Sequence, residues 1–173
     1  MGKILKTFCR IIDTLNEWVA GVSAWLIVPL VLIVAMDVVL RYIFNRPTTW
    51  SWDITVQLLG ALTMLSGGYL LLTGGHVSVD AVTIRWSRRR KAVIELITSV
   101  FFFFAIGVML WSTADAAWSS LKIRECFPSF FAAPIYQLKI IIVLGAFLLL
   151  LQGIVKFIRD LNTVLYGKAD SNK

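Results

Sequence analysis

Four long apolar runs constrain this chain more than any other feature: about Trp18 to Phe44, Asp53 to Thr73, Ala92 to Trp111 and Ile135 to Ile154. A helix needs ~20 mostly apolar residues to cross ~30 Å of bilayer hydrocarbon. Inside lipid every backbone N–H and C=O must be bonded within the protein, which makes continuous apolar runs of this length cross as helices. Of the 173 residues 58% are hydrophobic, against ~45–50% in a soluble domain, and the excess sits in the runs. The fold expected is therefore all-α: an integral membrane protein with four transmembrane helices. Residues 1–173 make a single membrane domain, with a C-terminal tail from about residue 158 and no room for a separate soluble domain.

The segment before the first run has a different pattern. Ile4, Leu5, Phe8, Ile11, Ile12 and Leu15 recur at helical spacing, while Lys3, Lys6, Arg10, Asp13 and Thr14 fill the other side. That suits a short amphipathic helix over about 3–17, lying in the membrane interface against lipid headgroups. The first run, 18–44, is too long for the apolar part of a signal peptide and lacks a convincing cleavage site after it. Pro29 falls inside it as a kink that membrane helices tolerate.

In the second run Gly60, Gly67 and Gly68 share one side of the helix, where small residues permit close helix–helix approach. Gly74-Gly75 ends that helix. The third run contains Phe101-Phe102-Phe103-Phe104. Neighbours on a helix point ~100° apart, so some of these rings must face lipid or another subunit.

Basic residues set the orientation. Lys3, Lys6 and Arg10 precede the first span; Arg85, Arg88, Arg89, Arg90 and Lys91 join the second to the third; Lys156, Arg159, Lys168 and Lys173 follow the fourth. These twelve compare with five on the other side: Arg41, Arg46, Lys122, Arg124 and Lys139. The positive-inside rule then places both termini in the cytoplasm, an N-in/C-in topology. Trp18, Trp50, Trp52, Trp86, Trp111 and Trp118 fall at or near span ends, as an interfacial belt requires; Trp25 does not. The net charge of +7 is thereby assigned to topology and anionic lipid, and nucleic acid is excluded as a partner. Cys9 and Cys126 fall on opposite membrane faces, too far apart for a disulfide.

Ionisable groups in or near a span need a reason. Asp37 and Arg41 are four apart and share a face near the outer end of the first span. Asp53 opens the second span, where a carboxylate suits the helix N-terminus. Glu95 lies one turn into the third span, with Arg88–Lys91 close enough in sequence to neutralise it. Lys139 can extend outward from the start of the fourth span, and Gln152 and Lys156 approach its inner end. No line of acidic groups crosses the membrane, as an ion path through this chain would need. His76 is the only histidine, which rules out bis-histidine haem and a histidine metal cluster. P-loop, GxSxG and HExxH patterns are absent. The chain reads as neither an enzyme nor a cofactor binder.

Four ordered pieces resemble one family. The first span ends in DVVLRYIFNRP, and WSWDITVQLLGALTMLSGGYLLLTGGHVSVD follows with its Trp50 and acidic Asp53 near the start and its Gly-His-Val-x-Val-Asp ending, His76 to Asp80. A basic connection comes next, and the last span carries PIYQLKIIIVLGAFLLLLQGI, including Tyr136, Lys139 and Gln152. Together, over most of residues 18–157, they resemble the small membrane subunit, DctQ-like, of tripartite ATP-independent periplasmic (TRAP) transporters. Asp53 departs from the glutamate more usual there; it keeps the charge and shortens the reach.

The resemblance implies a bacterial inner-membrane complex. Its members would be a large multi-span TRAP membrane subunit, which binds substrate and sodium, and a periplasmic substrate-binding protein. The small subunit would scaffold the large one, and the imported substrate would be an organic acid of the C4-dicarboxylate or sialic acid class. Asp37, Arg41, Trp50, Asp53, Gly60, Gly67, His76, Asp80, Tyr136, Lys139 and Gln152 are the candidates for structural or partner contacts. The competing expectation is a self-contained, homo-oligomeric small transporter or channel.

Overall fold

The computed structural model describes residues 3–74 and 88–166, with side chains over 4–74 and 95–164. Among the described residues five helices carry the fold: α1 (Lys3–Ala24), α2 (Ile27–Tyr42), α3 (Ser51–Leu72), α4 (Arg88–Ile123) and α5 (Tyr136–Tyr166). Four helical stretches are long and apolar enough to cross a membrane: Ile4–Tyr42, Ser51–Leu72, Glu95–Ile123 and Tyr136–Val164. At 1.5 Å per residue α3 covers ~33 Å and α4 ~54 Å. The first barely spans ~30 Å of hydrocarbon, whereas the second must project beyond it.

The spanning helices stand in a row rather than a closed bundle. α2 packs on α3, α3 on α5 and α5 on α4, while α1 lies across α3 and α5. Small residues set the spacing of the row. A Cβ placed on Gly145 of α5 would lie 2.6 Å from the Met64 carbonyl oxygen, and one on Gly60 of α3 would lie 3.0 Å from Leu138 Cδ1. Glycine thus lets α3 and α5 approach backbone to backbone, the close packing that replaces hydrophobic driving force in lipid. On the other side of α5 the Phe102 ring lies over Gly153. Phe102 and Phe103 turn inward and meet edge to face at 5.6 Å, and Phe103 meets Phe157 at 5.8 Å. Phe101 and Phe104 point away, dividing the four rings as the 100° step demands.

The first apolar run, 18–44, is divided between two helices. α1 continues to Ala24, and the chain turns at Trp25–Leu26 before α2 begins. Pro29 explains the place. In an unbroken helix its ring would collide with the carbonyl of Trp25, four residues back. In the first turn of a new helix its missing N–H goes unnoticed. The corner is tight: Trp25 and Leu26 donate N–H to the carbonyls of Val22 and Ser23, at 3.2 and 2.9 Å. Trp25, out of place as a mid-span tryptophan, stands exposed at this corner, at an end of α2.

α1 itself has three faces, not two. Ile4, Phe8, Ile11, Leu15, Trp18 and Val22 form an exposed apolar stripe, while Cys9, Ile12, Asn16, Ala20 and Ser23 are buried against the row. Lys6, Arg10 and Glu17 are exposed on the third side. At 100° per residue the stripes are roughly 120° apart. A helix that must touch lipid, water and protein at once needs this division. Cys9, Ile12 and Val155 form the small apolar core beneath it, flanked by Leu151 and Ile158.

Candidate functional site

Polar side chains gather at the two ends of the row, and the contacts differ in kind. At the end where α1 crosses, the centre is a pair of amides. Asn16 is 0% and Gln152 1% exposed. Asn16 Nδ2 donates to Gln152 Oε1 at 2.9 Å and to the Ile12 carbonyl at 3.0 Å. Gln152 Nε2 donates to Asp13 Oδ1 at 3.0 Å, and Asp13 Oδ2 accepts from Arg159. One unbroken chain of hydrogen bonds thus joins α1 to α5 from the interior to the exposed guanidinium.

Gly68 of α3 completes the junction. A Cβ there would lie 1.9 Å from Asn16 Oδ1, so glycine alone lets the amide lie on the α3 backbone. Asn16 Oδ1 has no conventional donor. Its contact with Gly68 is of the Cα–H···O type, a weak bond common where helices touch closely. Nearby, Lys156 of α5 pairs with Glu95 of α4 at 3.5 Å. Glu95 is therefore matched by the neighbouring helix; the side chains of Arg88–Lys91, expected from sequence to neutralise it, lie outside those described.

The opposite end, which holds the connections 43–50 and 124–135, is built from charges and hydroxyls. Asp37 pairs with Arg41 at 2.9 Å, and Asp37 Oδ1 accepts both the hydroxyl and, at 3.2 Å, the backbone N–H of Thr48. The bond from Thr48 folds the α2–α3 connection back on α2. Asn45 makes the reversal, with φ at +51°, a left-handed conformation that asparagine tolerates better than most residues. The Arg46 N–H then reaches the Leu40 carbonyl at 2.9 Å.

Asp53 is 2% exposed and does not act as the helix cap. Trp50 holds that position without a side-chain cap bond, its carbonyl accepting the Ile54 N–H at 3.3 Å. Asp53 Oδ2 instead accepts the hydroxyl of Ser129, from the connection between α4 and α5. Lys139, expected to extend freely outward, is engaged in that connection. Its ammonium donates to Glu125 Oε2 at 2.6 Å and to Ser120 Oγ at 2.5 Å, and Ser120 in turn donates to Glu125 at 2.5 Å. The Lys139 bond, and then the Ser120 bond, hold the Glu125 carboxyl below its ordinary range.

The sequence candidates therefore fall into separate groups. Asp37 and Arg41 form one, Asp53 and Lys139 brace the α4–α5 connection, and Gln152 lies at the far end of the row. Gly60 and Gly67 face α5, Gly67 with Leu149 at 4.0 Å from where its Cβ would be, while Gly68 faces α1. Tyr136 opens α5 half-buried, and Trp50 is half-buried at the start of α3. His76 and Asp80 lie outside the described residues. Cys9 and Cys126 sit at opposite ends, both free.

Asn16, Gly145, Glu125 and Ser129 went unnoticed in sequence. Asn16 had a signal, since it shares a stripe of small residues with Cys9, Ala20 and Ser23. Ser129 had none, because no periodicity links a connection residue to Asp53, 76 positions earlier.

Chemically, such groups hold helices and connections in register. They converge on no common point where a substrate atom could sit. Comparison with protein families matches residues 30–163 to Tripartite ATP-independent periplasmic transporters, DctQ component. Comparisons with curated proteins and with solved structures gave no match.

Proposed function

Because the chain belongs to the DctQ component family of tripartite ATP-independent periplasmic transporters, a transporter component and not an enzyme, we propose that it works as a scaffold. In this reading it braces the fixed part of a large multi-span membrane subunit while that subunit's transport part moves. A periplasmic binding protein delivers the substrate, an organic acid of the C4-dicarboxylate or sialic acid class, and sodium drives uptake. The complex sits in the bacterial inner membrane, with both termini of this chain in the cytoplasm as the basic residues indicate.

The observation that carries the reading is the family match over 30–163, and the architecture agrees with it. The helices form an open row, so most residues of every span remain unburied and available to a second layer of protein. The described ionisable side chains collect toward the two ends and form no relay between them, unlike the chain of groups an ion pathway requires. A moving transport domain loads its frame. A row stiffened by glycine-mediated contacts, with α1 fixed across it, suits that load.

Co-purification tests the proposal. The chain tagged at its C-terminus and extracted from its host in mild detergent should bring down one large membrane protein in about equal amount. Isolation as a stable homo-oligomer without such a partner would overturn the scaffold reading and favour a self-contained transporter.

A further inference from the structure

The connection between α4 and α5 is built with more care than a linker needs. Phe127 N–H donates to the Ala133 carbonyl at 2.8 Å, and Ile135 N–H to the Glu125 carbonyl at 2.9 Å. These bonds close a short hairpin, with Cys126 bridged to Pro134. Its tip is Ser129-Phe130-Phe131-Ala132. Ala132 has φ at +51°, a left-handed conformation that a residue with a Cβ resists. Its N–H is tied to Ser129 Oγ at 3.1 Å, and the Ser129 hydroxyl donates to buried Asp53. The result of this construction is that Phe130 stands 98% exposed, with Phe131 half-exposed beside it.

Asp53 fixes the depth of the tip. It lies in the first turn of α3, whose ~33 Å length barely exceeds the ~30 Å of hydrocarbon. The start of α3 is therefore at the membrane edge, and Ser129 is bonded to it there. Exposed aromatic side chains stand at this end on three of the four helices of the row: Tyr42 at the end of α2 with Phe44 just beyond it, Trp52 on α3 and Trp118 on α4. Cations are interleaved with them, the Lys122 ammonium standing 5.2 Å over the Trp118 ring and Arg124 exposed next to the hairpin. A protein partner would select one side. Aromatic rings mixed with cations on several helices and connections of this end match the headgroup region, where amphipathic and aromatic side chains concentrate.

We propose that residues 129–132 form an interfacial wedge that seats Phe130 and Phe131 at the boundary between lipid headgroups and acyl chains. The occupant of this surface is lipid. The Asp53–Ser129 bond sets the wedge's height, and the strained Ala132 aims it. The proposal depends on the chain spanning the bilayer and not on which transporter subunit it serves.

Site-directed spin labelling tests it. A nitroxide is placed at Phe130→Cys in the full-length chain carrying Cys126→Ser, in liposomes of phosphatidylethanolamine and phosphatidylglycerol, alone and with the co-purified large subunit. Power saturation compares collisions with oxygen, which enters lipid, and with a water-soluble nickel chelate. A control label at exposed Val108 of α4 reports the spanning itself. The expected result is oxygen collision several-fold above nickel at both positions, highest at Val108. Nickel above oxygen at position 130, with Val108 still lipid-like, would place the tip in water and overturn the proposal. Low collision with both reagents would overturn it in favour of a protein contact. Adding Ser129→Ala should bring the oxygen-to-nickel ratio at 130 toward one; an unchanged ratio would show that Asp53 does not hold the wedge.

Discussion

The two ends of the helix row solve one problem, fixing helices in place, with opposite chemistry. Where α1 crosses, the interior contacts are neutral: the Asn16 and Gln152 amides and a glycine backbone, with charge entering at the edge through Asp13 and Arg159 and through the nearby Lys156–Glu95 pair. At the other end the ties are ion pairs and hydroxyls that run through connections: Asp37 with Arg41 and Thr48, Asp53 with Ser129, Lys139 with Glu125. Burial explains the difference, except at Asp53, which is 2% exposed. An unneutralised charge deep in the protein or lipid carries a large desolvation cost, whereas an amide needs only hydrogen-bond partners. Exposed ion pairs lie where water screens them, and there each contributes little. Stability should therefore be concentrated at the α1 junction and spread thinly at the hairpin end.

Substitutions can break that contrast, and the largest effect should come from backbone contact. Gly145→Val forces a side chain against the Met64 carbonyl and should destabilise the protein by about 3 kcal/mol, read from unfolding in mixed detergent micelles. Gly68→Ala should cost about 2 kcal/mol by displacing Asn16. Much of that loss should return in Gly68→Ala/Asn16→Ala, where the obstructing amide is gone. No recovery in the double variant would mean that Asn16 does not dictate glycine at 68.

The amide pair comes next. Asn16→Leu and Gln152→Leu each strand the other's polar group, for about 1–2 kcal/mol apiece. The double variant should lose clearly less than the sum; strict additivity would mean that the two amides are not coupled.

At the hairpin end Ser129→Ala should cost about 1 kcal/mol, and Arg41→Ala about 0.5 kcal/mol or less, because Arg41 is mostly exposed. Losses there equal to those at the α1 junction would remove the contrast.

The smallest effect is a pH dependence. Glu125 is held below its ordinary value of 4.5 by Lys139 and Ser120. A carboxyl with a depressed folded value contributes its stability in full above its unfolded value and loses it as pH falls through the folded one. The hairpin should thus loosen in acid below about pH 4.5, visible as a more mobile nitroxide at Phe130→Cys. Glu125→Gln should flatten that dependence; an unchanged acid response would assign it to another group.

What the sequence reveals follows from how local each contact is. The spans were legible because lipid demands continuous apolar runs, and the Asp37–Arg41 pair because four residues make one helical turn. Pro29 was legible as a disturbance, but its position did not show that the chain would turn at Trp25 and leave 18–24 in α1. That segment follows its small residues onto α3, a tertiary preference that hydropathy does not encode. Asp53 appeared as a helix-start carboxylate because nothing local reveals Ser129. Gly60 and Gly67 were found by spacing on one helix, whereas Gly145, eight residues before Gly153 in its own span, gains meaning only when Met64 arrives opposite it.

A scaffold of the kind proposed keeps one internal geometry while its partner moves. Double electron–electron resonance between nitroxides at Glu17→Cys on α1 and Leu121→Cys at the end of α4, in a Cys126→Ser background, measures that directly in the assembled transporter. One narrow distance distribution is expected, the same at rest and during turnover with substrate, binding protein and a sodium gradient. A distribution that shifts or splits during turnover would contradict it and make this chain a moving part of the transporter.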